Sequence, residues 1–263
     1  MKRLLILILL ALCPQVLAQG KAQVKGAKPG EAVNWEGQVV KATGSGAPDM
    51  KAASAAQARL GAEMAAKMDA FRNLLSQAKG VQITSGRTVN DEMKDGEVKG
   101  RVEGIIRGYR ITDKRYFSDQ GVEIDVEVPL AAIASAVYKP EGAVPVLNRD
   151  GEAKSTGLIV DARGLKISPA LSPRILDEAG APLYSASVLS EEVRAQKTPA
   201  SYFASVDAAK KKADLVGDQP LLLKAARVNG SDLVLDADSV KRLAADNNGY
   251  LAEGRVAIVA DQR

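Results

Sequence analysis

Three carboxylates stand at alternate positions in the segment GVEIDVEVPL, residues 121–130: Glu123, Asp125 and Glu127. Alternate residues of a strand share a face. The three would form one acidic row, with Val122, Ile124, Val126 and Val128 as the apolar face behind it. Such a row could hold a hard cation or supply a general acid and base. It is also what the solvated side of a half-buried strand looks like. Lys99, Arg101 and Arg107 are expected on the neighbouring strand, so charge pairing across the sheet is the preferred reading.

Other chemistry is limited by what the chain lacks. It has no His, which removes Ser-His-Asp and Cys-His catalysis, His metal sites and His proton transfer. Its one Cys, Cys13, can form neither a disulfide within the chain nor a cysteine zinc site. No phosphate-cradling glycine loop, dinucleotide fingerprint or nucleophile elbow occurs. Ser205 and Lys210 lie too far apart for a Ser-x-x-Lys pair. A carboxylate pair for glycoside hydrolysis can be drawn from 32 acids by chance, so it is not evidence. No catalytic residue, metal ligand or cofactor site is therefore expected. The net charge of +4, with both signs mixed along the chain, argues against nucleic acid as a partner. Lys210-Lys211-Lys212 reads as the favourable basic end of a helix. Trp35, the only Trp, reads as a core plug.

The first residues read as an address. Lys2-Arg3 is a basic start, Leu4 to Leu12 an unbroken apolar run, and Val16-Leu17-Ala18 a signal-peptidase site. As a helix that run reaches only ~14 Å, against ~30 Å of membrane hydrocarbon. Cleavage is expected after Ala18, leaving Gln19 first and the protein exported to the periplasm or the outer membrane. Cys13 is a rival lipidation site, in Leu10-Ala11-Leu12-Cys13. Leu12 is bulky where a lipoprotein peptidase takes a small residue, so a membrane anchor would exist only if Cys13 were lipidated. Residues 19–31 read as a flexible tail.

The rest divides into an α+β domain over 32–138, a Pro/Gly-rich linker over 139–155 and a second α+β domain over 156–263. Ala accounts for 42 of the 263 residues and aromatics for only 4%, so the cores should be built from Ala, Leu, Val and Ile. Val33 to Thr43 reads as a strand stopped by Gly44 and Gly46. Lys51 to Lys79 reads as a long helix ended by Gly80. Its residues Leu60, Met64, Met68, Phe71, Leu75 and Ala78 form one stripe at helical spacing, expected in the core against a mainly antiparallel sheet. Val98 to Ile111 carries a glycine every fourth residue (Gly96, Gly100, Gly104, Gly108). At ~1 kcal/mol each relative to Ala they argue against a helix and for a strand. In the second domain the spacing predicts a strand at 157–162, a turn at 177–180 and a helix from Thr198-Pro199 to about Leu215, ended by Gly217. An Asn229-Gly230 hairpin, a helix over 236–246 and a last strand at 254–260 follow.

The order of short motifs adds a resemblance. Ala42-Thr43-Gly44-Ser45-Gly46 precedes an Ala-rich helix with Ala65, Asp69-Ala70 and Arg72-Asn73-Leu74-Leu75. Then come Gly80-Val81, Thr88-Val89, Gly104 and Val122 to Val128. Over residues 33–138 this resembles the Lpp-twenty-like envelope lipoprotein family, of the FlgP and FlgT N-terminal-domain type. The weak lipidation motif departs from its lipoprotein members. The resemblance implies an exported, non-enzymatic α+β protein of a Gram-negative envelope, scaffolding a flagellar basal body or another outer-membrane assembly. Its expected partners are envelope or flagellar proteins, or further copies of itself. The alternative is a periplasmic carbohydrate-binding protein or a carboxylate-dependent hydrolase.

Overall fold

The computed structural model describes Gly30, residues 32–140 and residues 142–261. The expected signal peptide, the Ala18/Gln19 cleavage point and Cys13 lie outside the described residues. The chain is α+β, with two halves that each enclose their own apolar core.

The first half runs β1 (Val33–Asn34), β2 (Val39–Gly46), α1 (Ala55–Lys79), β3 (Gln82–Thr84), β4 (Arg87–Thr88), α2 (Val89–Glu92), α3 (Gly96–Arg107), β5 (Arg110–Tyr116), β6 (Val122–Pro129) and α4 (Leu130–Val137). Its main sheet has the order β1-β2-β6-β5 and is antiparallel throughout. As the alternation predicts, Val122, Ile124, Val126 and Val128 of β6 are buried. Helix α1 starts at Ser54, whose hydroxyl accepts from the Gln57 N–H, and lies across β2 and β6.

Three expectations for this half are corrected. Gly44 and Gly46 do not stop the strand: β2 runs through both, paired to Ile124 and Val122. The large apolar stripe of α1 is not the core face, for a reason given below. Residues 96–107 are a helix, not a strand. Asp95 caps α3, accepting from the Glu97 and Val98 N–H groups, and Val98, Val102 and Ile106 are buried one turn apart. Gly96, Gly100 and Gly104 look into open space. Burial of three branched side chains, ~1.5–3 kcal/mol each, outweighs what those glycines cost.

The second half runs β7 (Leu158–Asp161), β8 (Ile175–Leu176), β9 (Pro182–Tyr184), α5 (Glu191–Gln196), β10 (Ser201–Phe203), α6 (Val206–Lys210), α7 (Ala213–Val216), β11 (Leu221–Lys224), β12 (Arg227–Asn229), β13 (Asp232–Val234), α8 (Ala237–Ala244) and β14 (Val256–Val259). One sheet, β10-β14-β7-β11, is wholly parallel. Leu158, Ile159 and Val160 of β7 are all buried, because both faces of that sheet are covered. The other sheet, β12-β13-β8-β9, is mixed. Its β12–β13 hairpin pairs Asn229 with Asp232, so the turn is Gly230-Ser231, one residue on from the expected Asn229-Gly230. The helix expected over 198–215 is instead β10 followed by α6 and α7. Ser201-Tyr202-Phe203 pairs with Ala257-Ile258-Val259, a contact that local propensity cannot foresee. Gly217 ends α7 as expected, at φ +71°.

Residues 139–155 contain no helix or strand where they are described, yet they are anchored. The Asn148 amide donates to the carbonyls of Ala244 and Asp246, and the Lys154 N–H donates to Asp246. The two halves are stitched directly as well. The N–H groups of Leu171 and Ser172 donate to the carbonyls of Gln82 and Ile83, each at 2.9 Å. Leu171 packs into the first core, and Trp35 meets Tyr202 edge-on with ring centres 5.4 Å apart.

Candidate functional site

The acidic row of β6 is present, and its partners are arginines, though not the expected ones. Lys99, Arg101 and Arg107 lie on α3, where Arg101 pairs with Glu97 and donates to the Ala136 carbonyl. The cations facing the row come from β5. Arg115 donates to Asp125 at 2.5 and 2.9 Å, to Glu123 at 3.3 Å and to Asp113 at 3.0 Å. Arg110 pairs with Glu127. The Thr43 hydroxyl donates to Asp125 at 2.7 Å. The Arg115 guanidinium thus sits where a bound cation would, and Asp125 pushes its pKa further up. Among the described residues no group of three or more acids has the geometry to hold a metal ion.

The face of α1 that meets the sheet is built from small residues. Ala58, Ala62, Ala66 and Ala70 are buried, each one turn from the next. Below them lie Gly44 and Gly46. A β-carbon on Gly44 would fall 2.2 Å from the Ala66 carbonyl oxygen, so the helix backbone rests almost directly on the strand. The contact is locked by polar groups. Asp69 accepts from the Ser45 N–H at 3.0 Å, and the Asn73 amide donates to the Thr43 carbonyl at 2.8 Å.

No large side chain fits at such a distance. Leu60, Met64 and Met68 stand two positions from the alanines, roughly 200° around the helix. They point away from the sheet and are 62%, 62% and 64% exposed. Only the C-terminal part of the expected stripe reaches the core: Phe71 and Leu75 are half-buried against it, and Ala78 is buried. Leu74 rather than Leu75 is the fully buried leucine. Periodicity marked the stripe but not which way it faced. The opposite alanine row, set beside the paired glycines of β2, was the available signal.

Charges frame this bare row. Glu63 lies between Lys67 and Lys114, 2.8 Å from each, and the hydrogen bond from Lys114 and then that from Lys67 hold its carboxyl down at about 2. Arg59 lies over the Tyr116 ring at 5.8 Å, and Arg72 is exposed. Four cations (Arg59, Lys67, Arg72, Lys114) therefore surround two carboxylates, Glu63 and Asp69, both already engaged. Exposed Gly61 and Ala65 lie alongside the three large residues.

Among the described residues no helix is long and apolar enough to cross a membrane. No curated protein matches the chain. Residues 157–262, less than half of it, match the family model described as Treponema pallidum Tp0624, second domain. That likeness covers the half with the parallel sheet and leaves out α1 and the acidic row.

Proposed function

We propose that this is a non-enzymatic, exported protein of a Gram-negative cell envelope that works by binding another protein. The outer face of α1 is its docking surface, within flagellar basal-body or outer-membrane assembly. The observation that carries the binding role is the exposed row Leu60, Met64 and Met68 on a helix whose opposite face is already buried. Covering such side chains is worth ~1.5–3 kcal/mol each. Gly61 and Ala65 leave room for a second helix to lie close. The surplus of cations around the row selects a partner helix with an apolar stripe and acidic flanks. A second copy of this chain would bring like charge to like. The envelope assignment rests on the sequence: the basic-apolar start before Ala18 and the resemblance over 33–138. The hydrolase alternative needs carboxylates converging without cations, whereas Glu123, Asp125 and Glu127 are all paired with arginine.

The test is a photo-crosslinking residue at position 64 in cells, in otherwise native protein and with Leu60→Asp and Met68→Asp added. The expected result is an adduct with one envelope protein through an acidic amphipathic helix, lost in the double variant. A purified protein that dimerises through this face, reversed by Met64→Asp, would make a second copy the partner. Turnover of peptidoglycan by the purified chain would end the non-enzymatic reading. Normal motility in a deletion strain would remove the flagellar role.

A further inference from the structure

A cleft of about 900 Å³ lies where two strands of the parallel sheet end against the first half. Sites for small ligands have this size. Strands β10 and β14 stop here, at Phe203-Ala204 and Ala260-Asp261. In open parallel sheets ligands gather outside the carboxyl ends of the strands. From the first half comes the β1–β2 turn, with Asn34, Trp35 and Glu36. No residue of α1 is among the described lining, so this site is separate from the helix face.

The wall is aromatic in a chain that has few rings. Trp35, Tyr202 and Phe203 all line the cleft, beside Ile167 and Pro169. Tyr202 and Phe203 are buried, and Trp35 is half-buried. Trp35 is held from two sides. The Tyr202 ring meets it edge-on, and the Tyr202 hydroxyl is fixed by the N–H and the carbonyl of Ala170. Gln38, which closes the turn, is left-handed at φ +54°. For a residue with a β-carbon this is a strained position that its surroundings must enforce. The Gln38 amide donates to the Trp35 carbonyl, its side-chain oxygen accepts from the Thr198 hydroxyl, and its backbone carbonyl accepts from the Leu130 N–H at 2.9 Å. The indole is thus preset at the edge of the cleft.

Exposed oxygen atoms border the rings: the carboxylates of Glu36 and Asp261 and the side-chain amide of Asn34. A carboxylate only accepts hydrogen bonds, so the ligand must donate them. Asp261 accepts from the Gly164 N–H at 2.8 Å and acts, after Asp161, to keep Arg163 charged. Since it already serves a guanidinium, a free cation has little to gain there. A pyranose ring meets both needs. Its C–H face covers an indole, whose ring face is negative, and its hydroxyls donate to carboxylates.

We propose that this cleft binds a neutral oligosaccharide, stacked on Trp35 and hydrogen-bonded through its hydroxyls to Glu36 and Asp261. An anion would meet two carboxylates. An aliphatic ligand would strip them of water and offer no donor in return.

Trp35 reports on its own site, because it is the only Trp in the chain. The test is titration of the purified full chain with maltotriose, cellotriose and tri-N-acetylchitotriose, followed by indole emission and by calorimetry. Choline is the cationic control. At least one trisaccharide is expected to bind saturably with a shift in Trp35 emission, at least about tenfold tighter than choline, a difference of ~1.4 kcal/mol. Glu36→Ala should weaken that sugar by about tenfold with an unchanged unfolding midpoint, since this side chain is exposed. Ala204→Tyr, which fills the cleft, should abolish binding. The proposal is overturned if none of the three sugars binds, if choline binds as tightly, if a bound sugar leaves Trp35 emission unchanged, or if both folded variants bind like the native chain.

Discussion

Gly46 lies so close beneath Ala62 that a β-carbon on the glycine would fall 1.9 Å from the alanine's carbonyl oxygen. That contact sets the distance between α1 and the sheet, and so decides which residues of the helix are inside. Gly46→Ala must push the helix off the strand, because the obstacle is backbone rather than a flexible side chain. Overpacking of this kind costs ~1–3 kcal/mol, and the upper end is expected here. Urea unfolding measures it; a change below about 0.5 kcal/mol, the range of ordinary surface substitutions, would mean the helix stands further away.

The two faces of α1 should answer oppositely to substitution. Met64→Gln should shift stability by no more than about 0.5 kcal/mol, since the side chain is in solvent. Ala66→Met, two positions along and on the opposite face, should cost ~1–3 kcal/mol by overpacking. Paired urea curves for the two variants check this. A larger loss at position 64 than at 66 would reverse the orientation of the helix.

Glu63 supplies a pH dependence whose sign is fixed. Its folded-state pKa is lowered from 4.5 to about 2 by Lys114 and Lys67. The unfolded chain therefore takes up this proton first as pH falls. The pair's contribution to stability is complete above about pH 4.5 and is lost as pH drops towards 2. Carboxyl-resolved NMR titration should place Glu63 near the bottom of the acid range, and Lys114→Met should raise its midpoint. A midpoint at the ordinary glutamate value in the native chain would show that the lysines are not in place.

Arg115 is ion-paired with Asp113, Glu123 and Asp125 at once. Arg115→Met leaves three carboxylates facing one another across two strands. With the group partly exposed, a loss of ~1.5–3 kcal/mol at neutral pH is expected, the scale of hydrogen bonds to charged groups. Calcium titrated into the native protein should give no heat, and into Arg115→Met at most a weak signal. Tight calcium binding by the native chain would mean that the acids are not committed to arginine.

The legible parts of this sequence were those governed by near neighbours. Strand β6 announced itself by alternation and the end of α7 by Gly217. The parts misread depended on distant ones. Glycines at 96, 100 and 104 count against a helix only until Val98, Val102 and Ile106 find a core to enter. Ser201-Tyr202-Phe203 becomes a strand because Ala257-Ile258-Val259, more than fifty positions on, lies beside it. The exposed row of α1 was visible as a stripe, but its direction was fixed by two glycines on another element.

Leu171 completes the first core from within the second half, and its N–H and that of Ser172 extend the edge of β3. During synthesis the first half can form its sheet and seat α1 as soon as α4 has left the ribosome. Its core still lacks one side chain at that moment, and the β3 edge lies open. Both are closed only after some three dozen further residues have emerged, so the nascent chain passes through a stage in which a nearly finished domain waits for its last piece.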